Sequence, residues 1–207
     1  MKKCFTLALF LGFLIFQSAK ADTNVSGNIS VDSTWSLSGS PFIVTGTIIV
    51  NEGATLSIDS GVVVRFQSNL GMEIRGALDA YKCRFTTDAA NPSRGDWDDI
   101  RIGNNAQTGH AAFYGCIIEY GGHASSNNSY GMITVSRGSA TFRGNNEIAR
   151  SNNAGIAIHT QGTLNLSHTV ISANKLPIAY TGPGSVFFGE GNNLTGNTHE
   201  GINIRFR

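Results

Sequence analysis

Three sets of short apolar strands advance along this sequence in step, and that phase-locking leaves few folds open. Ile100-Arg101-Ile102, Ile133-Thr134-Val135, Ile156-Ala157-Ile158, Ile178-Ala179-Tyr180 and Ile202-Asn203-Ile204 share one shape, at spacings of 33, 23, 22 and 24 residues. A second set lies between them: Leu78/Ala80, Ala111/Phe113, Ala140/Phe142, Leu164/Leu166 and Val186/Phe188. A third follows at Phe85, Ile118, Ile148, Ile171 and Leu194. Self-similarity at a fixed period is the signature of a solenoid. Three strands in a unit of 22–24 residues describe one turn of a parallel β-helix, each turn laid on the one before at about 4.8 Å. Alternate side chains then point into the coil and stack on their equivalents, and the others face solvent. The longer interval fits loops inserted at the bends, over 87–96 and 121–130. A β-sandwich of irregular strands would not keep three sets in phase. The expected fold is all-β: a single-stranded parallel β-helix, three short strands per turn, over residues 46–207, with 22–45 as an N-terminal capping segment.

Composition agrees. Gly is abundant (25 residues) and Pro rare (4), as many short strands and tight turns require. The first 21 residues read as a signal peptide: Lys2 and Lys3, an apolar run from Phe5 to Phe16, and a small-x-small site at Ala19-Lys20-Ala21. Cys4 precedes the apolar run, which argues against a lipid anchor there. Export, with a secreted or cell-surface location, follows as an expectation. The run is too short for a membrane span, and no later stretch approaches one, so membrane insertion of the mature chain is not expected. Without Lys2, Lys3 and Lys20, 12 of the 15 basic residues remain against 14 acidic ones. That balance attracts neither nucleic acid nor an anionic membrane.

The repeat also predicts a contact. An inward bend position between the second and third sets is occupied in turn by Cys83, Cys116, Asn145, Thr169 and Gly191. Cys83 and Cys116 should therefore be neighbours in adjacent turns. The rung spacing of about 4.8 Å lies within the Cα range of a disulfide, although parallel Cβ vectors strain it. Export favours oxidation. Stacked thiols acting as small apolar residues are the alternative, and both stand open.

The stretch DSTWSLSGSPFIVTGTIIVNEGATLSIDSGVVVRF (residues 32–66) resembles the start of bacterial secreted right-handed β-helix repeat proteins, in the broad pectate-lyase-like fold group. GDWDDIRI (95–102) is similar to their W-G-G-I-x-I element, with Asp98 and Asp99 where small residues are usual. The resemblance implies a right-handed coil on a bacterial surface or in the medium. It implies no reaction, because such a fold carries enzymes, adhesins and stalks alike.

Enzymes of this fold place paired carboxylates, or Ca²⁺ with a basic residue, on one outward face. The outward rows led by Arg101, Asp79 and Arg84 each lack a second stacked carboxylate, which argues against glycoside hydrolysis on the visible turns. The densest cluster is SRGDWDDIR, where Asp96, Asp98 and Asp99 lie beside Arg94 and Arg101. The three carboxylates suit Ca²⁺, and Asp98, Asp99 and Arg101 are the candidate catalytic residues for an acidic sugar. The competing reading is a charged bend whose Asp residues bond local N–H groups. Arg94-Gly95-Asp96 spells an integrin-type tripeptide, a match that chance supplies. Tyr81 and Tyr114 should project outward on adjacent turns and could form a platform for a sugar ring, joined by Tyr130. The plainer reading is an aromatic ladder between strands. Trp35 and Trp97 are expected to pack under the N-terminal strand and a loop. The five histidines fall at unrelated repeat positions, without metal-ligand spacing.

The function expected is a non-catalytic extracellular module for adhesion or glycan contact. A polysaccharide lyase is the first alternative and a structural spacer the second. The chain stops at GINIRFR, inside a fresh strand with Ile204 and Phe206 at its edge, so a continuation beyond Arg207 or a docking partner is expected.

Overall fold

Ile48, Met72, Ile100, Ile133, Ile156, Ile178 and Ile202 lie over one another on seven successive parallel strands. The structure, a computed structural model, describes residues 22–123, 131–199 and 201–204. The chain winds as a parallel β-helix, every strand belonging to one sheet. The second face stacks Leu56, Leu78, Ala111, Ala140, Leu164 and Val186. The third stacks Val64, Phe85, Ile118, Ile148 and Ile171. All three predicted registers are therefore observed, and they extend to earlier turns. The segment 22–45 carries strands of its own around a short 3-10 turn at Leu37–Gly39: Thr23–Ile29 pairs with Phe42–Val50, and Ser33–Trp35 with Thr55–Ile58. It forms a rung of the coil. Residues 1–21, Tyr130, Phe206 and Arg207 lie outside the described residues.

Alternation makes the core. In Thr55–Ile58 and Val63–Phe66 every second residue is buried. Stacking like on like then fills the axis: Phe113 lies on Phe142 with ring centroids 4.7 Å apart and planes at 6°. Each fully buried side chain of this kind contributes about 1.5–3 kcal/mol. Trp35 stacks on Phe42 at 4.8 Å and Trp97 on Phe66 at 4.4 Å, both buried as expected. The Trp97 indole N–H also donates to the Glu119 carbonyl (2.9 Å), which pins the loop over 88–99 to the coil.

Glycine makes the bend from the first face to the second. Gly109, Gly138 and Gly162 lie in register, and a Cβ on Gly138 would stand 1.8 Å from the Gly109 carbonyl oxygen. Gly138 also has φ of 105°, which side chains rarely adopt.

The other two bends share a different device, and it corrects the expected inward row. Lys82, Gly115, Asn145, His168 and Gly191 all have positive φ. The residue after each turns inward: Cys83, Cys116, Asn146, Thr169 and Asn192. Asn146 and Asn192, not Asn145 and Gly191, continue the cysteine row, and Asn146 Oδ1 accepts the Cys116 N–H (2.9 Å). The left-handed residue reverses the chain and displaces the inward position by one. The bend from the third face to the first repeats the arrangement. Positive-φ Arg150, Ala173 and Gly196 precede inward Ser151, Asn174 and Asn197.

Candidate binding surface

Tyr81 and Tyr114 end their strands in register on adjacent turns. Their inward neighbours Ala80 and Phe113 are buried, so alternation turns both rings out, 48% and 44% exposed. The ring centroids are 5.9 Å apart and tilted by 33°. Lys82 Nζ stands 5.2 Å from the Tyr81 centroid, and the exposed Arg143 follows Tyr114 in the same row. The ridge is held from behind by the Lys82 N–H, which donates to the Tyr114 carbonyl (2.7 Å). It offers two exposed aromatic rings, with the Lys82 ammonium over Tyr81 and Arg143 beyond Tyr114.

Around the bend formed by Lys82 and Cys83 lies a cleft of about 470 Å³. Its floor is Arg65, Arg84 and Thr86, and one wall is the segment 87–92. Glu119 lies at its base, 2% exposed, and carries the structure of the site. It accepts from Arg84 Nε (2.8 Å) and Nη2, from Arg150 Nη1 (2.9 Å) and from the Thr86 hydroxyl (3.3 Å). A buried carboxylate demands such partners, since leaving it unpaired is costly. Oε1 takes three of these bonds and Oε2 the Arg150 one, an arrangement that suits Glu119 to positioning arginines. Sequence reading missed this group. The signal was present in a second outward row, Arg65 over Thr86, which Glu119 continues two residues beyond the row led by Arg84.

The acidic cluster is divided. Asp98 and Asp99 line a small cleft of about 90 Å³ with Glu73 and Arg101, whereas Asp96 faces a different hollow with Asp88. Asp96 Oδ2 accepts the Ser93 N–H (2.7 Å), the local capping role that competed with metal binding. Among the described residues no three His, Cys, Asp or Glu side chains group as a metal site. Asp99 is 5% exposed, and Arg101 Nη2 reaches its Oδ2 at 3.4 Å. Burial pushes its carboxyl up to about 6, against the pull of Arg101 and with a further push from Asp98. Glu73 lies in register with Arg101, and its hydrogen bond from Arg75 holds it below the usual carboxylate range.

Cys83 and Cys116 are neighbours as the repeat predicts, buried, with their sulfurs 3.5 Å apart. Both are free thiols in this structure. Their hydrogen bond, and then burial, pushes the Cys83 thiol far above its ordinary value. The described histidines stand apart: His110 meets Ser139, His123 the Gly95 carbonyl and His159 Thr181.

Compared with protein-family models, curated proteins and solved structures, the chain matches none.

Proposed function

We propose that this chain is a non-catalytic β-helix module that holds a glycan along the Tyr81–Tyr114 ridge, on a bacterial surface or in the medium. The observation that carries the reading is the exposed tyrosine pair. Two large rings are kept outward, side by side, by strand register alone. A pyranose ring has an apolar face that matches an aromatic one. A glycan running along the coil axis could place successive sugars on successive rungs. The basic start, apolar run and small-x-small site of residues 1–21 support export, and the likeness of residues 32–66 to bacterial secreted β-helix proteins supports the setting. The engagement of Glu119 by two arginines supports a positioning role for it over proton transfer.

One observation favours a second reading. Asp99 combines burial, a raised proton affinity and an adjacent Arg101, a combination found at catalytic sites. A lyase acting there would lose turnover of an acidic polysaccharide on Asp99→Asn.

Affinity electrophoresis in gels containing single polysaccharides tests the first reading. Tyr81→Ala with Tyr114→Ala should weaken retention roughly tenfold, equivalent to about 1.4 kcal/mol. Retention by the wild type that the double variant leaves unchanged would remove the ridge from the function.

A further inference from the structure

We propose that the cleft floored by Arg65 and Arg84 is an anion subsite, one that takes a carboxylate or sulfate group. The proposal rests on exposure and on how the arginines are held. Glu119 engages Arg84 through Nε and Nη2, which leaves Nη1 for a ligand. The Arg84 side chain is 49% exposed and that of Glu119 2%, so the cleft shows solvent the guanidinium and hides its counter-charge. Arg150 shares Glu119 from the other side, so one buried carboxylate serves two cations. Arg65 is exposed on the neighbouring position of the floor, and no ion pair engages it among the described residues. Two guanidinium groups line one cleft, one of them immobilised, and a planar guanidinium suits an oxyanion better than a flexible ammonium would. Asp88 in the wall is the one opposing charge that lines the cleft besides Glu119.

Position links the cleft to the ridge. Tyr81 and Arg84 are three residues apart, a Cα separation of at most roughly 10 Å. A ligand of a few sugar units lying on the tyrosines could place an acidic substituent over the arginines. That linkage rests on the proposed glycan contact. The anion subsite itself does not, and it is measured separately.

The experiment titrates the whole chain with glucuronate, glucose 6-sulfate and glucose, and follows the Arg Nε–H signals by NMR. The clamped Arg84 Nε–H is the reporter. Either or both anions should shift it, with the responding anion identifying the group recognised, and glucose should not. Arg65→Gln, an exposed change that breaks no described contact, should weaken the response several-fold. Asp88→Asn should strengthen it, and added salt should weaken it. Tyr81→Ala with Tyr114→Ala should leave the free-anion response intact, so the subsite and the ridge succeed or fail independently. An Arg84 signal that ignores both anions, that answers glucose equally, or that is indifferent to Arg65→Gln overturns the proposal.

Discussion

Asn197 underlies Asn174 in the bend from the third face to the first, and its Oδ1 accepts both the Asn174 backbone N–H (3.0 Å) and the Asn174 side-chain amide (3.2 Å). Asn174 repeats the gesture one turn earlier, where its Oδ1 accepts the Ser151 N–H (2.8 Å) and its amide donates to the Ile148 carbonyl (3.0 Å). In this bend the N–H of the inward residue meets a side-chain amide oxygen of the next rung, while the flanking Ala173 N–H still reaches the Gly196 carbonyl (3.0 Å). Asn174→Ala should therefore strand several buried polar groups, each unmade bond costing about 1–3 kcal/mol, for a total loss of about 3 kcal/mol in denaturant unfolding. Asn145→Gly provides the contrast. Asn145 is exposed with φ of 65°, and glycine there should be neutral within about 0.5 kcal/mol. Equal losses at the two positions would contradict the ladder.

The coil was legible in the sequence because its inward positions repeat apolar residues with a constant phase. Ile156, Ile178 and Ile202 announce their own register, and so do Leu164 and Val186. The bends were less legible. Their positive-φ residues are as varied as Lys82, Asn145 and His168, so the extra step they introduce leaves no residue-type signature, and the row slipped by one at Asn146. Tyr81 and Tyr114 follow from simple alternation and were found. Glu119 was not, because its burial comes from arginines two rungs apart, Arg84 and Arg150, and only the folded coil brings these together.

The thiol pair should be chemically silent. Cys83 and Cys116 are 3% and 0% exposed, and Cys116 Sγ also donates to the Ala80 carbonyl (3.3 Å). Only thiolate reacts with iodoacetamide; the hydrogen bond that raises the Cys83 thiol lowers that of Cys116, so it is burial of both sulfurs away from the reagent that protects the pair. Native protein at pH 8 should label roughly a hundredfold more slowly than protein in denaturant, at a rate set by opening of the coil. Labelling at the rate of an exposed thiol would show that this bend is not packed as described.

Asp99 should make the protein firmer in mild acid. Its folded carboxyl titrates at about 6, above the ordinary value of 3.8. Between those two values the folded state holds a proton that the unfolded chain has released, so stability falls as pH rises and the penalty is complete above about 6. Lowering the pH from 7 to 5 should raise the unfolding free energy by about 1 kcal/mol through this group. Asp99→Asn, neutral throughout, should be more stable than wild type at pH 7 and should lose that increment. A variant whose stability keeps the same pH slope over this range would place the titration elsewhere.

The clamp at Glu119 should be redundant in its arginines but not in its carboxylate. Arg84 and Arg150 each have substantial access to water, so either guanidinium can be rehydrated when released. Glu119 has no such recourse. Arg84→Ala and Arg150→Ala should each cost about 1 kcal/mol, since the remaining arginine still neutralises the carboxylate. Together they leave a buried charge unpaired, and the double variant should lose about 3–5 kcal/mol, well beyond the sum. Adding Glu119→Gln to the double variant should restore part of that loss by removing the stranded charge. The four chemical denaturation midpoints decide the matter, and strict additivity of the two arginines would mean that Glu119 does not bind them as one unit.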